Sequence, residues 1–281
     1  MTGSDKEHLM PSKLLPAFDL SNSSELKQTI SQALKCYLND GCVLLKNVFD
    51  RQFMYRLQQE FNDNYQAYFK PDDFSDALRV GDKRTMITVE VKSEFNSEYF
   101  YANPNILRMI VSLLGRNHVM GSMGAVVSLP GSGDQHVHRD HLNIYHSARF
   151  YPRKEHPLTA SPPYAITVVI PLVPINEATG CTRVWPGSHL STIRPKDVKE
   201  ENSVEFVAEL GDCLLMDYRL IHHGKANNSN IVRPILYNIY NSAWFRDVVN
   251  YKNQKPLVIS DDEFNQVPAQ HRYLFEWSRQ Q

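Results

Sequence analysis

Apolar positions in the first hundred residues recur mostly at helical spacing. Leu26, Ile30, Ala33, Leu34, Tyr37 and Leu38 form one stripe. Asn22 and Glu25 stand before it in the arrangement of a capping box, and Asn39-Asp40-Gly41 closes it. A short apolar run over 42–48 predicts a strand. Asp50 is placed to cap a second helix that carries Phe53, Leu57, Phe61 and Tyr68 on one side. A third helix is predicted from Pro104 through Ile106, Leu107, Ile110, Leu113 and Leu114 to Gly115. From about residue 117 the pattern changes. Apolar and β-branched runs over 118–129, 164–172, 182–185, 203–208, 212–217 and 232–240 predict strands. Turn-rich gaps separate them: Pro130-Gly131-Ser132-Gly133, Pro162-Pro163, Pro186-Gly187-Ser188 and Asn227-Asn228-Ser229-Asn230. Closely spaced strands with no helices between them imply an antiparallel sandwich or barrel. A helical tail is predicted from about 261. No linker-like boundary interrupts the chain. It therefore reads as a single domain with a helical part over about 20–115, a β core over about 116–247 and a tail over 261–281.

Composition narrows the functional classes. The 281 residues carry 30 Lys and Arg against 31 Asp and Glu, a formal net charge of -1. Such a balance argues against nucleic acid or an anionic membrane as the main partner and favours a small molecule. The apolar stretch over 164–175 is broken by Pro171 and Pro174 and is too short to span a bilayer. The N-terminus shows no apolar leader segment. Cys36, Cys42, Cys181 and Cys213 show no CxxC pairing and read as thiols of a reducing, cytoplasmic compartment. Nothing in the pattern fixes an oligomeric state. Histidine is the exception to this ordinary composition: of eleven, His136, His138, His141 and His146 fall within eleven residues, and His222 and His223 are adjacent.

These clusters suggest a metal site. If the chain is extended after the Gly-rich turn, His136, His138 and Asp140 share one face. Two of them plus a distal histidine would make a face of two imidazoles and one carboxylate, the set used by non-haem Fe(II) oxygenases. The HxH spacing is equally open to a zinc-dependent hydrolase, and the whole element to a non-catalytic jelly-roll binding protein. The second cluster precedes the turn over 227–230. Read as one antiparallel hairpin with strands over 213–216 and 232–240, it sets His222 opposite Arg233 and turns His223 away. A small dicarboxylate could then bridge a metal held at His222 and the planar guanidinium of Arg233.

Three pieces of sequence resemble the phytanoyl-CoA dioxygenase family of Fe(II)/2-oxoglutarate-dependent oxygenases. Gln135-His136-Val137-His138-Arg139-Asp140 is similar to its Q-x-x-H-x-D motif. Thr179-Gly180-Cys181-Thr182-Arg183-Val184-Trp185-Pro186-Gly187-Ser188-His189 is similar to its N-G-x-x-x-x-x-P-G-S-H segment. Asp217-Tyr218-Arg219-Leu220-Ile221-His222, with Asn227, Ser229 and Arg233, is similar to its D-x-R-x-x-H…N-x-S…R run. The resemblance implies a mainly β, double-stranded β-helix (jelly-roll, cupin-like) core with flanking helices. It implies that His138, Asp140 and His222 ligate iron, that Arg233 holds the distal carboxylate of 2-oxoglutarate, and that Gln135 and Thr167 are further cosubstrate contacts. Molecular oxygen would be the second cosubstrate, with succinate and CO2 released as an unactivated C–H bond is oxidised. The presence of Asp140 argues against the related halogenases, which lack this carboxylate. The small hydroxylated residue often found two positions after the distal histidine is Gly224 here. His136, Asn143, Tyr145 and Trp244 are candidates for contact with the substrate. Trp185 and His189 read as structural, and Asp217 and Arg219 as an ion pair within a turn.

Overall fold

A computed structural model describes residues 14–141, 161–251 and 254–280. Eleven strands occur among the described residues: β1 (Ala17–Asp19), β2 (Cys42–Lys46), β3 (Leu78–Gly81), β4 (Arg84–Thr88), β5 (His118–Ser128), β6 (Ala165–Pro171), β7 (Thr182–Val184), β8 (Val204–Phe206), β9 (Cys213–Asp217), β10 (His222–Gly224) and β11 (Arg233–Ser242). Eight of them form one sheet in the order β1-β2-β9-β6-β11-β5-β4-β3; the other three form a second sheet in the order β10-β7-β8. The helices are α1 (Leu26–Asp40), α2 (Arg51–Tyr65), α3 (Glu98–Tyr101), α4 (Pro104–Leu114) and α5 (Asp261–Gln266). A 3-10 segment, Ala269–Gln280, follows.

The central strands β6, β9 and β11 of the large sheet are buried on both faces, yet their side chains still alternate. Ile166, Val168 and Ile170 of β6, with Cys213 and Leu215 of β9, pack against helix residues Ile30, Ala33, Phe53, Leu57, Phe61, Ile106 and Ile110. Val169, Leu214, Met216 and Ile235 point the other way and meet Val184 and Phe206 of the small sheet. This is the arrangement of a double-stranded β-helix: helices on one face, a second sheet across the other. Removing a side chain such as Leu57 from the helix-facing core costs about 2–5 kcal/mol.

Local signals place the helices. Asp50 caps α2 by accepting from the Phe53 amide at 2.9 Å, and Asn103 accepts from Asn105 and Ile106 ahead of Pro104. Gly41 ends α1 in the left-handed region, at φ 77°, where the His189 ring leaves no room for a Cβ. Two expectations need correction at this level. Asn22 does not cap α1: the helix begins at Leu26, and the Asn22 side chain accepts from Ser24 within a local turn. The N-terminal part is not only helical, because it also supplies β1, β3 and β4. β3 and β4 form a short hairpin at the edge of the large sheet, with β4 pairing onto β5. Their polar, charged sequence hides them from an apolar-run criterion.

The larger correction concerns the hairpin. β9 pairs with β2 and β6, and β11 pairs with β5 and β6; the two strands are not partners. His222 lies instead in β10 of the small sheet, opposite Val184, while Arg233 lies in the large sheet opposite Ser128. The turn over 227–230 thus carries the chain from one sheet to the other.

Candidate metal centre and its cavity

His138, Asp140 and His222 converge between the two sheets. Their potential ligand atoms all lie within 4.8 Å of one another. His222 Nε2 is 3.4 Å from Asp140 Oδ1, and His138 Nε2 is 3.9 Å from the same atom. The backbone builds this meeting. His138 donates its amide to the His222 carbonyl at 3.0 Å and accepts from the His222 amide at 2.9 Å, so the two histidines are clipped to each other as neighbouring strands would be. The rings sit 4.4 Å apart.

The tautomers follow from the same backbone. His138 Nδ1 lies 2.8 Å from the His136 carbonyl, and His222 Nδ1 lies 3.0 Å from the Leu220 carbonyl. A carbonyl only accepts, so each Nδ1 donates and each Nε2 presents its lone pair toward Asp140. Burial and the neighbouring His222 push the His138 pKa down to about 3. Burial raises the Asp140 carboxyl above its usual range, with His222 acting against that shift. Asp140 is held on two sides: Thr167 donates its hydroxyl to Oδ2 at 3.3 Å, and Asn250 donates to the Asp140 carbonyl at 2.7 Å. Asn250 also donates to Asp247, which accepts from the Tyr218 hydroxyl.

The cluster opens into a cavity of about 400 Å3. Val169, Met216, Ile235 and Ile239 give it an apolar wall, while Tyr218, Tyr237 and Tyr251 add phenols. At one end stands Arg233, only 1% exposed. It donates to the Gly180 carbonyl at 2.7 Å and to the Ser128 hydroxyl at 2.8 Å. Its buried Nε has no partner, and no carboxylate of the described residues pairs with it. Burial, then the nearby Arg84 cation, lowers its pKa to about 9.

Arg84 was not anticipated as part of this region. It pairs across β5 with the same Ser128 that Arg233 opposes. Its guanidinium donates to the carbonyls of Gly224, Gly133 and Lys225 and to the Ser132 hydroxyl. It thereby ties the segment before His138 to the segment after His222. The signal was available only once β4 had been recognised as a strand of the large sheet.

Gln135 lines the cavity, but its amide is engaged by the backbone: Oε1 accepts from Gly224 and Nε2 donates to Val80. His136 lines the cavity with its ring 5.0 Å from that of His138, outside the converging set. His223 turns away, with Nδ1 against the Gln135 carbonyl and its ring on Trp185. Trp244 is 68% exposed; it packs on Tyr164 and Phe245 and is not part of the cavity wall. Asn143 and Tyr145 lie outside the described residues. Asp217 and Arg219 do form a buried ion pair. His189, in the 3-10 segment Ser188–Leu190 that follows the Pro186-Gly187 turn, is buried against Gly41. Arg139, between the two metal-motif residues, points the opposite way and is gripped by the carbonyls of Ser188, Ser191, Ile193 and Arg219.

A phytanoyl-CoA dioxygenase (PhyH) family model matches residues 37–235, a span that contains the whole cluster and both arginines. The chain belongs to the phytanoyl-CoA dioxygenase family. As a member it is an iron- and 2-oxoglutarate-dependent oxidoreductase. Dioxygenase trt7 of Aspergillus terreus is 24% identical over 207 residues, 72% of this chain and 70% of that protein. The iron/alpha-ketoglutarate-dependent dioxygenase ausU of Aspergillus calidoustus is 26% identical over 216 residues, 70% and 64% of the two chains. The match thus spans about two thirds of the length of these curated relatives. Among solved structures, the epimerase SnoN in complex with Fe3+, alpha ketoglutarate and nogalamycin RO shares the fold. Its TM-score is 0.58 at 15% identity, over 84% of this chain and 98% of that one. HygX from Streptomyces hygroscopicus, with nickel, 2-oxoglutarate and hygromycin B bound, gives 0.56 at 12% identity over 76% and 88%. No helix of the described residues is long and apolar enough to cross a membrane.

Proposed function

We propose that this member of the family oxidises, by hydroxylation, an unactivated C–H bond of a largely apolar small molecule, with conversion of 2-oxoglutarate to succinate and CO2. The observation that carries the reading is the pairing of two features across one cavity. Two imidazole lone pairs and a carboxylate converge at one place, and a buried guanidinium without a carboxylate partner stands at another. The donor set fits a non-haem iron, and the unmatched cation fits the far end of a dicarboxylate.

In this reading His138, Asp140 and His222 hold the iron. Iron, when bound, supplies the redox chemistry that couples O2 and 2-oxoglutarate to C–H oxidation. Every other task belongs to the chain. The His136 and Leu220 carbonyls keep both Nε2 atoms unprotonated. Thr167 and Asn250 orient Asp140, so Thr167 acts on the carboxylate ligand rather than on the cosubstrate. Gln135 joins the two metal-bearing segments. Arg233 receives the distal carboxylate and so sets the angle at which the keto acid enters. The apolar wall at Val169, Met216 and Ile235 excludes water, which strengthens these charge interactions and offers a hydrocarbon surface to the substrate. The domain is proposed to act as one unit, because the cavity is lined from both sheets.

Anaerobic addition of Fe(II) and 2-oxoglutarate to the metal-free protein tests the reading. A visible metal-to-ligand charge-transfer band is expected, lost in Asp140→Ala and Arg233→Ala. His222→Ala should abolish iron binding while His223→Ala retains it. No band in the parent protein would overturn the proposal.

A further inference from the structure

Directly opposed residues of paired strands project to the same side, so the registers of the large sheet lay out the cavity floor in rows. Arg84, Ser128 and Arg233 make one row across β4, β5 and β11. The next row is Leu78, Met86, Val126 and Ile235, one residue from each of β3, β4, β5 and β11. Further along, Ile239, Thr167 and Met216 make the row that meets the metal ligands, because Thr167 donates to Asp140.

The row from Leu78 to Ile235 is apolar from end to end but unevenly covered. Ile235 is buried and clusters with Val184 and Phe206 of the small sheet; Leu78, Met86 and Val126 do not join that cluster and are only half-buried. All four line the cavity that holds His138 and Asp140. Met86 and Val126 pack on a cluster that includes Tyr237 and Ile239, and Ile239 pairs with Thr167. The apolar surface therefore leads from the edge hairpin back to the carboxylate ligand. Three interstrand steps separate β11 from β3, roughly 14 Å at the usual strand spacing. A hydrocarbon face half-exposed inside a cavity is a surface that an apolar ligand takes out of water.

Charge at the outer end is already balanced. Arg79 lines the cavity there, with its side chain 67% exposed, but Asp73 and Asp82 lie 4.0 and 3.7 Å from its terminal nitrogens. Unlike Arg233, it presents no unmatched cation.

We infer that the β3–β4 hairpin is the substrate-selecting element. Leu78, Met86 and Val126 hold the hydrocarbon body of the substrate, which is chosen by that body and not by an anionic head group. The inference rests on the C–H oxidation reading above and names the wall that bears the substrate. Met86, unbranched and polarizable, shapes itself to the bound surface.

The test is equilibrium binding of three probes, 1-octanol, 1-decanol and decanoate, to the protein loaded anaerobically with Fe(II) and 2-oxoglutarate. Calorimetry reads the probes, and the charge-transfer band reads the cosubstrate. Affinity is expected to rise about four-fold for each methylene between octanol and decanol, and decanol and decanoate should bind equally. Met86→Gln, similar in length but polar, should weaken both about ten-fold, and Met86→Leu should stay within about two-fold of the parent. Arg79→Gln should change neither, and the charge-transfer band should persist in all three variants. Should the glutamine variant at 86 fold poorly, Leu78→Asn carries the same prediction. Decanol binding unaltered in both Met86→Gln and Leu78→Asn overturns the inference, as does a parent protein that shows the band but binds neither alcohol. So does tighter binding of decanoate that Arg79→Gln abolishes, which would assign recognition to the head group. Absence of the band in the parent is a different result: it removes the cosubstrate reading itself.

Discussion

Of the three buried arginines among the described residues, Arg219 and Arg233 differ in whether a carboxylate meets them. Arg219 is matched. Its Nε and a terminal nitrogen donate to the two oxygens of Asp217, each at 2.8 Å, and its plane lies over the Tyr164 ring. Burial works against its charge, but the Asp217 carboxylate outweighs burial and holds its pKa above the usual value. Arg233 is unmatched. It has a carbonyl, a hydroxyl and an orphaned Nε, and burial with a second cation lowers its pKa to about 9. A folded chain carries such a charge at a cost. Charge matching within the chain thus separates an arginine that holds a turn from one that awaits an anion.

The contrast can be broken in several ways, starting with the largest effect. Asp217→Ala leaves Arg219 charged and without a carboxylate, hydrogen-bonded only to Ser161, and is expected to cost about 3–5 kcal/mol of stability, measured by urea unfolding with and without 2-oxoglutarate. Arg233→Met should do the reverse. Its stability in the absence of cosubstrate should equal or exceed that of the parent, while 2-oxoglutarate affinity falls about 100-fold or more through loss of charge-assisted hydrogen bonds. If Arg233→Met unfolds as readily as Asp217→Ala, the distinction fails. A smaller effect comes from the buried histidines outside the cluster. Burial lowers the pKa of His118 and His189, and that of His223 to about 4. Their unfolded pKa is about 6.5, so their contribution is complete above that pH and is lost as pH falls. At pH 5.5 the metal-free protein should lose about 1 kcal/mol through His223, with His118 and His189 adding in the same direction. Asp140, raised by burial, opposes this. A urea midpoint that does not fall between pH 7.5 and 5.5 would contradict it.

The chemistry of the site was more legible in the sequence than the path of the chain. Helical stripes and caps are local, and α2 and α4 appear where Asp50 and Pro104 place them. The strands of the large sheet are marked by apolar runs, but their partners are not. An apolar run, an asparagine-rich turn and another apolar run make a hairpin by any local rule. Here β9 and β11 sit in one sheet with β6 between them, and β10, only three residues long, belongs to the other. Sheet-to-sheet crossings of this kind are decided by burial of two faces at once, which no short window contains. His222 and Arg233 nevertheless reach one cavity, from opposite sheets rather than across one ladder. Arg84 went unassigned for the same reason: it matters through a partner far along the chain, Gly224, and sits in no motif that names its chemistry.

The contact between Arg84 and Gly224 also constrains how this sequence can change. A hydroxylated residue cannot be restored at 224 in a single step, because a Cβ there would lie 2.2 Å from an Arg84 terminal nitrogen. A replacement at 84 made first would release four bonded acceptors around the segments that carry His138 and His222. The two positions are therefore inherited as a pair, and comparison of descendants should find them exchanged together or not at all.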